Sequence, residues 1–187
     1  LHNGQPSSPQ GTATTEAGAY TLNGYNGDDG REIQRNAGWT WAVTNEDEWY
    51  KAAYHKNDGV TANYWDYPMR SNDVPNNGNP GGDTGNTATF YDGDYTLGSP
   101  FWRTEAGFFS LSESPYGSFD QGGNVWEWNE SAQEYTGYSS RGLRGGCYYD
   151  YDFNLLASHR DLNSPTNPSA RLGFRVVQIP EPATIMM

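Results

Sequence analysis

The clearest periodic pattern of apolar residues lies at positions 45–53. Trp49, Ala52 and Ala53 recur at the i, i+3 and i+4 spacing that places side chains on one face of a helix. Asn45 precedes them and Glu48 stands three positions later, which is the arrangement of a capping box at a helix N-terminus. The pattern predicts a short helix that begins after Asn45 and buries its apolar face in the core.

Alternation of apolar and polar residues, typical of half-buried strands, is confined to short stretches. It predicts strands at residues 19–22 and 39–43 and a final strand at residues 174–177. Residues 54–95 show little periodicity, and Asn, Gly, Asp and Pro dominate residues 71–87. Because these residue types favour turns, we expect a long excursion over the surface at residues 71–87.

A dense cluster of glycine and tryptophan occupies residues 120–130, which read DQGGNVWEWNE. Gly accepts positive φ angles and close backbone approach, while Trp buries a large area and needs a partner for its N–H. Two interpretations stay open. Either two tryptophans on a structural turn seal a core, or the Asp120 and Glu127 carboxylates bracket turn carbonyls and form the mixed oxygen site that calcium prefers.

Composition narrows the class of protein. The chain has 187 residues, of which 34% are hydrophobic and 15% aromatic, which fits one loop-rich domain with a core of large aromatic side chains. Its formal net charge is −12 and it has no basic cluster, so we expect no nucleic-acid partner. Cys147 is the only cysteine, so no disulfide forms within the chain. No apolar run approaches the roughly 18 residues of a membrane-spanning helix, and we expect no transmembrane segment in this chain.

Four short motifs in a fixed order resemble the formylglycine-generating enzyme/sulfatase-modifying factor family. They are the helix motif at 44–53, GNVWEW at 123–128, the LRGG strand at 143–146 followed by Arg160, and RLGFR at 171–175. The resemblance runs from about residue 39 to residue 177. It implies an α+β protein with an irregular, loop-rich variant of the C-type-lectin-like fold, short antiparallel strands, few helices and bound calcium.

On this basis the chain divides into three parts. Residues 1–15 are a loose lead-in, and residues 16–178 form the sulfatase-modifying-factor-like domain, which we expect to lack its N-terminal part. Residues 179–187 include Pro180, Glu181 and Pro182, which resemble the start of a PEP-CTERM sorting signal; a proline-rich linker is the alternative. The resemblance implies exosortase-type sorting machinery as a partner. It places the protein at the cell surface, outer membrane or exterior of a Gram-negative bacterium.

The family resemblance also implies two calcium sites. The better aligned site takes side chains or carbonyls of four residues: Asp120, Gly123, Val125 and Glu127. The other site takes the Asn63 side chain and the Tyr64 carbonyl, and it is completed by Asp92 or Asp94. For this second set, two aromatic turns with solvated carboxylates are the alternative.

The catalytic chemistry of the family depends on two cysteines after the Arg-Gly-Gly strand, separated by four residues, which hold a copper ion. Here the two positions fall on Asp150 and Leu155, and Cys147 stands three residues early. We therefore expect neither copper nor a catalytic residue, and we interpret Cys147 as a small buried hydrophobe. The corresponding candidate groove consists of Cys147, Asp150, His159 and Arg160.

The leading hypothesis is an exported, non-catalytic, calcium-stabilised domain that acts in binding or at the cell surface, with a surface protein or a glycan as partner. Two alternatives stay open. One is a diverged sulfatase-modifying oxidase. The other is a carbohydrate-binding, lectin-like module that uses exposed aromatic residues.

Overall fold

The computed structural model describes residues 18–22, 25, 27, 30–79, 81–135 and 138–179. The elements in chain order are β1 (Trp41–Val43), α1 (Glu46–Tyr54), β2 (Trp126–Tyr135), β3 (Tyr138–Arg144), a 3-10 helix (Asp152–Leu155), β4 (Asp161–Asn163), β5 (Leu172–Phe174) and β6 (Val176–Gln178). None of the helices in these ranges is long and apolar enough to cross a bilayer. The remaining described chain is irregular, as expected of a loop-rich α+β fold.

Helix α1 begins where the capping box predicts it. The Asn45 side chain accepts a hydrogen bond from the Glu48 N–H at 2.8 Å, and the Glu48 carboxylate accepts one from the Asn45 N–H at 2.9 Å. Trp49 and Ala53 are fully buried, and Ala52 is half-buried beside them. The predicted helix and its core face are confirmed.

Two small sheets bring distant parts of the chain together. One has the strand order β4-β3-β2-β5, and the other pairs β1 with β6. All pairs are antiparallel except β2–β5, which is parallel and departs from the predicted antiparallel strands. A parallel pair needs a long connection, and β3 and β4 lie within that connection. The strand predicted at residues 39–43 is present as β1, whereas that at 19–22 is reduced to a single bridge between Tyr20 and Arg35.

The closing strand predicted at residues 174–177 is instead two strands in different sheets, β5 and β6. The chain changes sheet at Arg175, whose carbonyl accepts a hydrogen bond from the Thr44 N–H at 3.3 Å. The Arg175 guanidinium binds Glu127 at the same point. Alternation alone does not mark this break, because Arg175 occupies a polar position of the pattern. The residues of the predicted sorting signal, 180–182, lie outside the described residues.

The irregular middle of the chain supplies part of the core. Between residues 55 and 125, the described chain has no helix or strand. One buried cluster nevertheless comes largely from this region and consists of Tyr67, Met69, Ala88, Phe90 and Leu155. The loops therefore serve as core elements as well as connections.

The surface excursion predicted for residues 71–87 is wrong at two polar positions. Asn77 and Thr87 are only 4% and 2% exposed. Asn77 Nδ2 donates to the Asp94 carbonyl at 2.9 Å, and the Thr87 N–H donates to Ser112 Oγ at 3.0 Å. Polar loop residues can be buried here because other loops supply their hydrogen-bond partners.

Two glycines allow backbones to meet at the ends of β2 and β3. Gly123 has φ +79°, and a Cβ there would lie 2.2 Å from the Thr89 carbonyl oxygen. Gly145 has φ +94°, and a Cβ there would lie 2.6 Å from the Gln121 carbonyl oxygen and 3.3 Å from the Trp49 ring. Any other residue would force these segments apart. The close backbone approach expected of the glycines at residues 120–130 is present at Gly123, but its neighbour is the Thr89 backbone, and the glycine that packs against a tryptophan is Gly145.

Candidate functional site

Glu127, at the centre of the glycine and tryptophan cluster, is buried in an ion pair. Its carboxylate accepts hydrogen bonds from Arg175 Nε at 2.5 Å, from Arg175 Nη2 at 2.7 Å and from the Trp49 indole N–H at 2.6 Å. Glu127 lies on β2, Trp49 on α1, and Arg175 between β5 and β6. Because Glu127 is only 6% exposed, the compensating charge of Arg175 is essential to its burial.

Asp120 lies at the start of the turn that leads to Glu127. It has a positive φ of 57°, and its Oδ2 accepts a hydrogen bond from the Gly107 N–H at 2.6 Å. Burial raises the pKa of the Asp120 carboxyl, against the opposing effects of that hydrogen bond and of Arg175. The guanidinium of Arg175 also donates to the Phe119 carbonyl at 3.1 Å. Arg175 therefore contacts both ends of the turn that carries the predicted calcium ligands Asp120, Gly123, Val125 and Glu127.

The donor atoms of this turn fit a cation in part. A carboxylate offers about four acceptor positions, and Glu127 uses three of them for Arg175 and Trp49. Asp120 keeps one carboxylate oxygen that receives no hydrogen bond from the described residues. A calcium ion would therefore bind Asp120 and turn carbonyls and share Glu127 with Arg175. The assignment stays a prediction.

The other predicted calcium ligands are divided between two loops. Asn63 Nδ2 donates to Asp58 Oδ2 at 2.8 Å, whereas Asp94 Oδ1 accepts from the next backbone N–H in its own loop. Within the described ranges, no hydrogen bond joins Asn63 or Tyr64 to Asp92 or Asp94. Nor do any three His, Cys, Asp or Glu side chains among those residues form a metal-binding group. The second calcium assignment also stays a prediction.

Cys147 and Asp150 lie together in the turn that follows β3. Cys147 is fully buried, packs with Trp126 and Leu143, and donates its N–H to Asp150 Oδ2 at 3.0 Å. Burial, with the Asp150 carboxylate, raises the pKa of the thiol to about 12. The thiol is therefore protonated at neutral pH, and only a thiolate is a good nucleophile or metal ligand.

Leu155, at the second position that the resemblance assigns to a copper ligand, is a core residue. It is fully buried and packs in the cluster of Tyr67 and Phe90. Its carbonyl accepts a hydrogen bond from the buried Tyr54 hydroxyl at 3.0 Å. The side chain thus stabilises the fold beneath the turn and does not line an open site.

His159 and Arg160 complete the candidate groove on the other side of Trp126. The ring centroids of His159 and Trp126 are 5.8 Å apart, and Trp126 also packs on Cys147. Arg160 extends towards α1, where its Nη2 is 3.9 Å from Glu46 Oε2. Two of the four groove residues, Cys147 and His159, therefore contact Trp126, while Arg160 is directed away to the helix.

A connected series of six aromatic rings, three of them half exposed at the surface, lies beside this groove and was not predicted from the sequence. Neighbouring ring centroids are 4.6–6.3 Å apart. We call this surface the aromatic band, and its members are Tyr91, Tyr95, Trp102, Tyr149, Tyr151 and Phe153. Tyr149, Tyr151 and Phe153 are 50%, 51% and 51% exposed. The four aromatic residues among positions 148–153 were the available sequence signal.

A cavity of about 570 Å³ lies beside β2, lined in part by residues 30–35. Its polar wall is a paired network in which Arg35 donates to Glu130 at 2.9 Å and to Glu48 at 2.7–2.8 Å. The Tyr20 hydroxyl donates to Glu130, and burial, reinforced by Glu130, raises the pKa of Tyr20 to about 12. These groups satisfy one another, and they join Tyr20 and Arg35 to β2.

Comparison with known proteins shows the family. The profile of the sulfatase-modifying factor enzyme 1-like domain matches residues 11–179. The chain belongs to this family. The crystal structure of CarF resembles it with a TM-score of 0.52 at 21% identity, over 79% of this chain and 52% of CarF. That likeness concerns the fold alone. The predicted family and the irregular, loop-rich α+β fold are confirmed.

Two curated relatives match part of this sulfatase-modifying-factor domain. Inactive C-alpha-formylglycine-generating enzyme 2 of Mus musculus is 33% identical over 103 residues, which cover 48% of this chain and 32% of the relative. Serine/threonine-protein kinase pkn1 of Chlamydia caviae is 30% identical over 105 residues, which cover 43% of this chain and 17% of the kinase. The match thus spans about a third or less of the length of each relative.

Proposed function

We propose that this sulfatase-modifying-factor domain is a non-catalytic binding domain. The proposal rests on the burial, hydrogen bonding and thiol pKa of the side chains in the turn at residues 147–155. Leu155 is fully buried, Asp150 is bound to the Cys147 N–H, and the pKa of the Cys147 thiol is about 12. The two positions that the resemblance assigns to the copper-binding cysteines thus hold no thiolate, and its raised pKa makes the nearby thiol a poor nucleophile. Similarity to a relative named as an inactive formylglycine-generating enzyme supports the same conclusion.

A diverged oxidase is the competing function, and a direct assay separates the two. The purified protein is incubated with a Cys-x-Pro-x-Arg peptide, copper and oxygen, and the peptide mass is followed. We expect no conversion of the peptide cysteine to formylglycine. Conversion by the parent that is lost in Cys147→Ser would overturn the proposal, because it would require Cys147 to act alone.

The binding part of the proposal is supported by the aromatic band. Exposed Tyr and Trp rings combine apolar faces with polar tips and are enriched where proteins contact partners. The band adjoins the candidate groove through Phe153, whose ring lies 5.9 Å from that of His159. The binding surface would thus occupy the region next to the turn from which the copper cysteines are missing.

We also propose that calcium stabilises the domain at residues 120–127 and that the protein is exported. The Asp120 oxygen that accepts no hydrogen bond from the described residues supports the first statement, and the Pro-Glu-Pro sequence at 180–182 supports the second. Export through an exosortase would place the domain at the surface of a Gram-negative cell. In the full-length protein, exchange of residues 180–182 for Ala-Ala-Ala should block processing. If the altered protein is processed and released like the parent, the tripeptide is a linker.

A further inference from the structure

We propose that the aromatic band is a platform for a neutral oligosaccharide. This inference rests on the proposed binding function and names its ligand. The rings come from three separate stretches, at residues 91–95, at 102 and at 149–153. They form one series in which the ring centroids of Trp102 and Tyr95 are 4.6 Å apart and those of Tyr91 and Tyr151 are 5.4 Å apart. These two ring pairs pack edge to face and brace the series, and the half-exposed rings at its end can contact successive units of an extended ligand.

The exposed end of the band presents two parallel rings. Tyr151 and Phe153 have planes 13° apart and centroids separated by 6.1 Å, and both are half exposed. A pyranose ring has one face of C–H groups, and that face packs on an aromatic ring through dispersion and the release of water. The hydroxyls at the sugar's edge remain free to bind water or polar side chains.

The band is held in place by hydrogen bonds of its backbone. The Tyr91 N–H donates to the Asp150 carbonyl at 2.9 Å, which ties the first stretch to the third. Asn79 Nδ2 donates to the Tyr95 carbonyl at 2.9 Å. Trp102 has a φ of 57°, an uncommon conformation for a bulky residue. Binding to such a preorganised surface loses little conformational entropy.

Four aspartates adjoin the band residues along the chain, and their charge disfavours an anionic ligand. Asp92, Asp94, Asp150 and Asp152 each stand within one or two positions of a band residue. The Asp92 side chain is exposed and accepts no hydrogen bond from the described residues. A carboxylate is a strong acceptor for sugar hydroxyls, but it repels a uronate or sulfate group. The Arg171 guanidinium lies 4.2 Å from the Tyr149 ring centroid and offsets part of this repulsion there, so the selection against anions applies to the Tyr151 and Phe153 end of the band.

The same carboxylates argue against a protein partner. A protein interface would remove them from water, which is costly unless each meets a basic group. An oligosaccharide that lies on the rings leaves these carboxylates in contact with water. The Tyr149, Tyr151 and Phe153 rings are half exposed, whereas a pocket for a small molecule encloses most of its ligand. A chain of neutral sugars is the ligand that satisfies both conditions.

Titration calorimetry with neutral oligosaccharides of glucose, N-acetylglucosamine and xylose, and with a uronate oligosaccharide, tests this inference. We expect binding of at least one neutral chain, a change in tryptophan fluorescence, and binding of the uronate chain that is at least about tenfold weaker. The double variant Tyr151→Ala/Phe153→Ala should weaken neutral binding by about tenfold or more, because aromatic contacts of this kind carry most of the affinity. Phe108→Ala is the matched control. Phe108 is 53% exposed and its ring contact is Phe109, outside the band.

Each outcome decides the inference. Loss of neutral binding in the double variant with retention in Phe108→Ala supports it. Equal binding of uronate and neutral chains overturns the argument from charge, and loss in both variants overturns the location. If no neutral chain binds but a lysine-rich peptide binds the parent and not the double variant, the ligand is a protein. In that case the proposed binding function stands, and the assignment of an oligosaccharide as the ligand is wrong. Formylglycine production by the parent would refute the non-catalytic function separately.

Discussion

The turn before β2 and the turn after β3 are adjacent, since the Gly123 N–H donates to the Gly145 carbonyl at 2.8 Å, yet they use their charges in opposite ways. At residues 120–127, Glu127 points inward and is neutralised by Arg175. At residues 147–153, the Tyr149, Tyr151 and Phe153 rings are half exposed, and the two aspartates between them are partly exposed. The first turn stabilises the fold, and the second carries the half-exposed rings of the proposed binding surface. One framework of packed glycines supports both, as binding loops on a rigid scaffold generally require.

The sharpest way to break this comparison is to remove the inward charge. Glu127→Gln leaves the buried Arg175 guanidinium without its counter-charge, which should reduce the free energy of unfolding by about 3–5 kcal/mol and lower Tm by roughly 10 °C. Urea unfolding and calorimetry measure these changes. The matched variant in the other turn, Asp150→Asn, should cost less than about 1.5 kcal/mol, because its side chain can still accept the Cys147 hydrogen bond. Equal losses in the two variants would show that the turns do not differ in this way.

Removal of calcium should have the next largest effect. If calcium binds at residues 120–127, a concentration one hundred times its Kd stabilises the fold by about 2.7 kcal/mol, and a chelator lowers Tm accordingly. Asp120→Ala should erase the difference between the chelated and calcium-loaded protein, whereas Asp150→Ala should keep it. An unchanged Tm of the parent in chelator would refute the calcium assignment and leave Arg175 as the cation of this turn.

Alkaline pH should sharpen the contrast through Cys147. Burial raises the thiol pKa from an ordinary value of 9.0 to about 12, so above pH 9 the unfolded state releases a proton that the folded state keeps. The contribution of this group is therefore fully present below pH 9 and is lost as pH rises towards 12. Urea midpoints of Cys147→Ala should fall less steeply than those of the parent over this range.

Two controls accompany the pH series. The native thiol should not react with a thiol reagent at pH 8 and should react once the protein is unfolded. The Tyr20 pKa rises on folding from an ordinary value of 10.0 to about 12, so Tyr20 affects stability only above about pH 10. The loss of stability that begins near pH 9 should therefore remain in Tyr20→Phe. A parent whose thiol reacts rapidly in the native state would contradict the burial of Cys147.

The smallest effect should come from Arg171, which contacts the turn after β3. Arg171 stacks on the exposed Tyr149 ring, and an exposed cation–π contact contributes about 0.5–1 kcal/mol. Arg171→Gln should therefore change the free energy of unfolding by no more than about 1 kcal/mol, whereas Arg175→Gln should cost several times as much. Denaturant midpoints of the two variants test this ordering, and similar losses would contradict it.

Patterns within short stretches of the sequence were sufficient to predict several features of this protein. The capping box and the i, i+3, i+4 spacing determined α1, because both act within one helical turn. The order of the short motifs identified the family. The family resemblance placed Asp150 and Leu155 at the positions of the copper-binding cysteines, and this placement stays a prediction. The glycine and tryptophan cluster indicated close backbone packing, because only glycine tolerates it.

Tertiary structure alone decided what depends on distant parts of the chain. Glu127 meets Arg175 across 48 positions, so neither its partner nor its effect on the predicted calcium site is visible in the local sequence. The division of residues 172–178 between two sheets depends on β1 and β2, which lie far upstream. The aromatic band assembles Tyr91, Trp102 and Tyr151 from separate loops. Short-range patterns report local conformation, whereas these features arise from the closure of long loops, which brings together residues that share no periodicity.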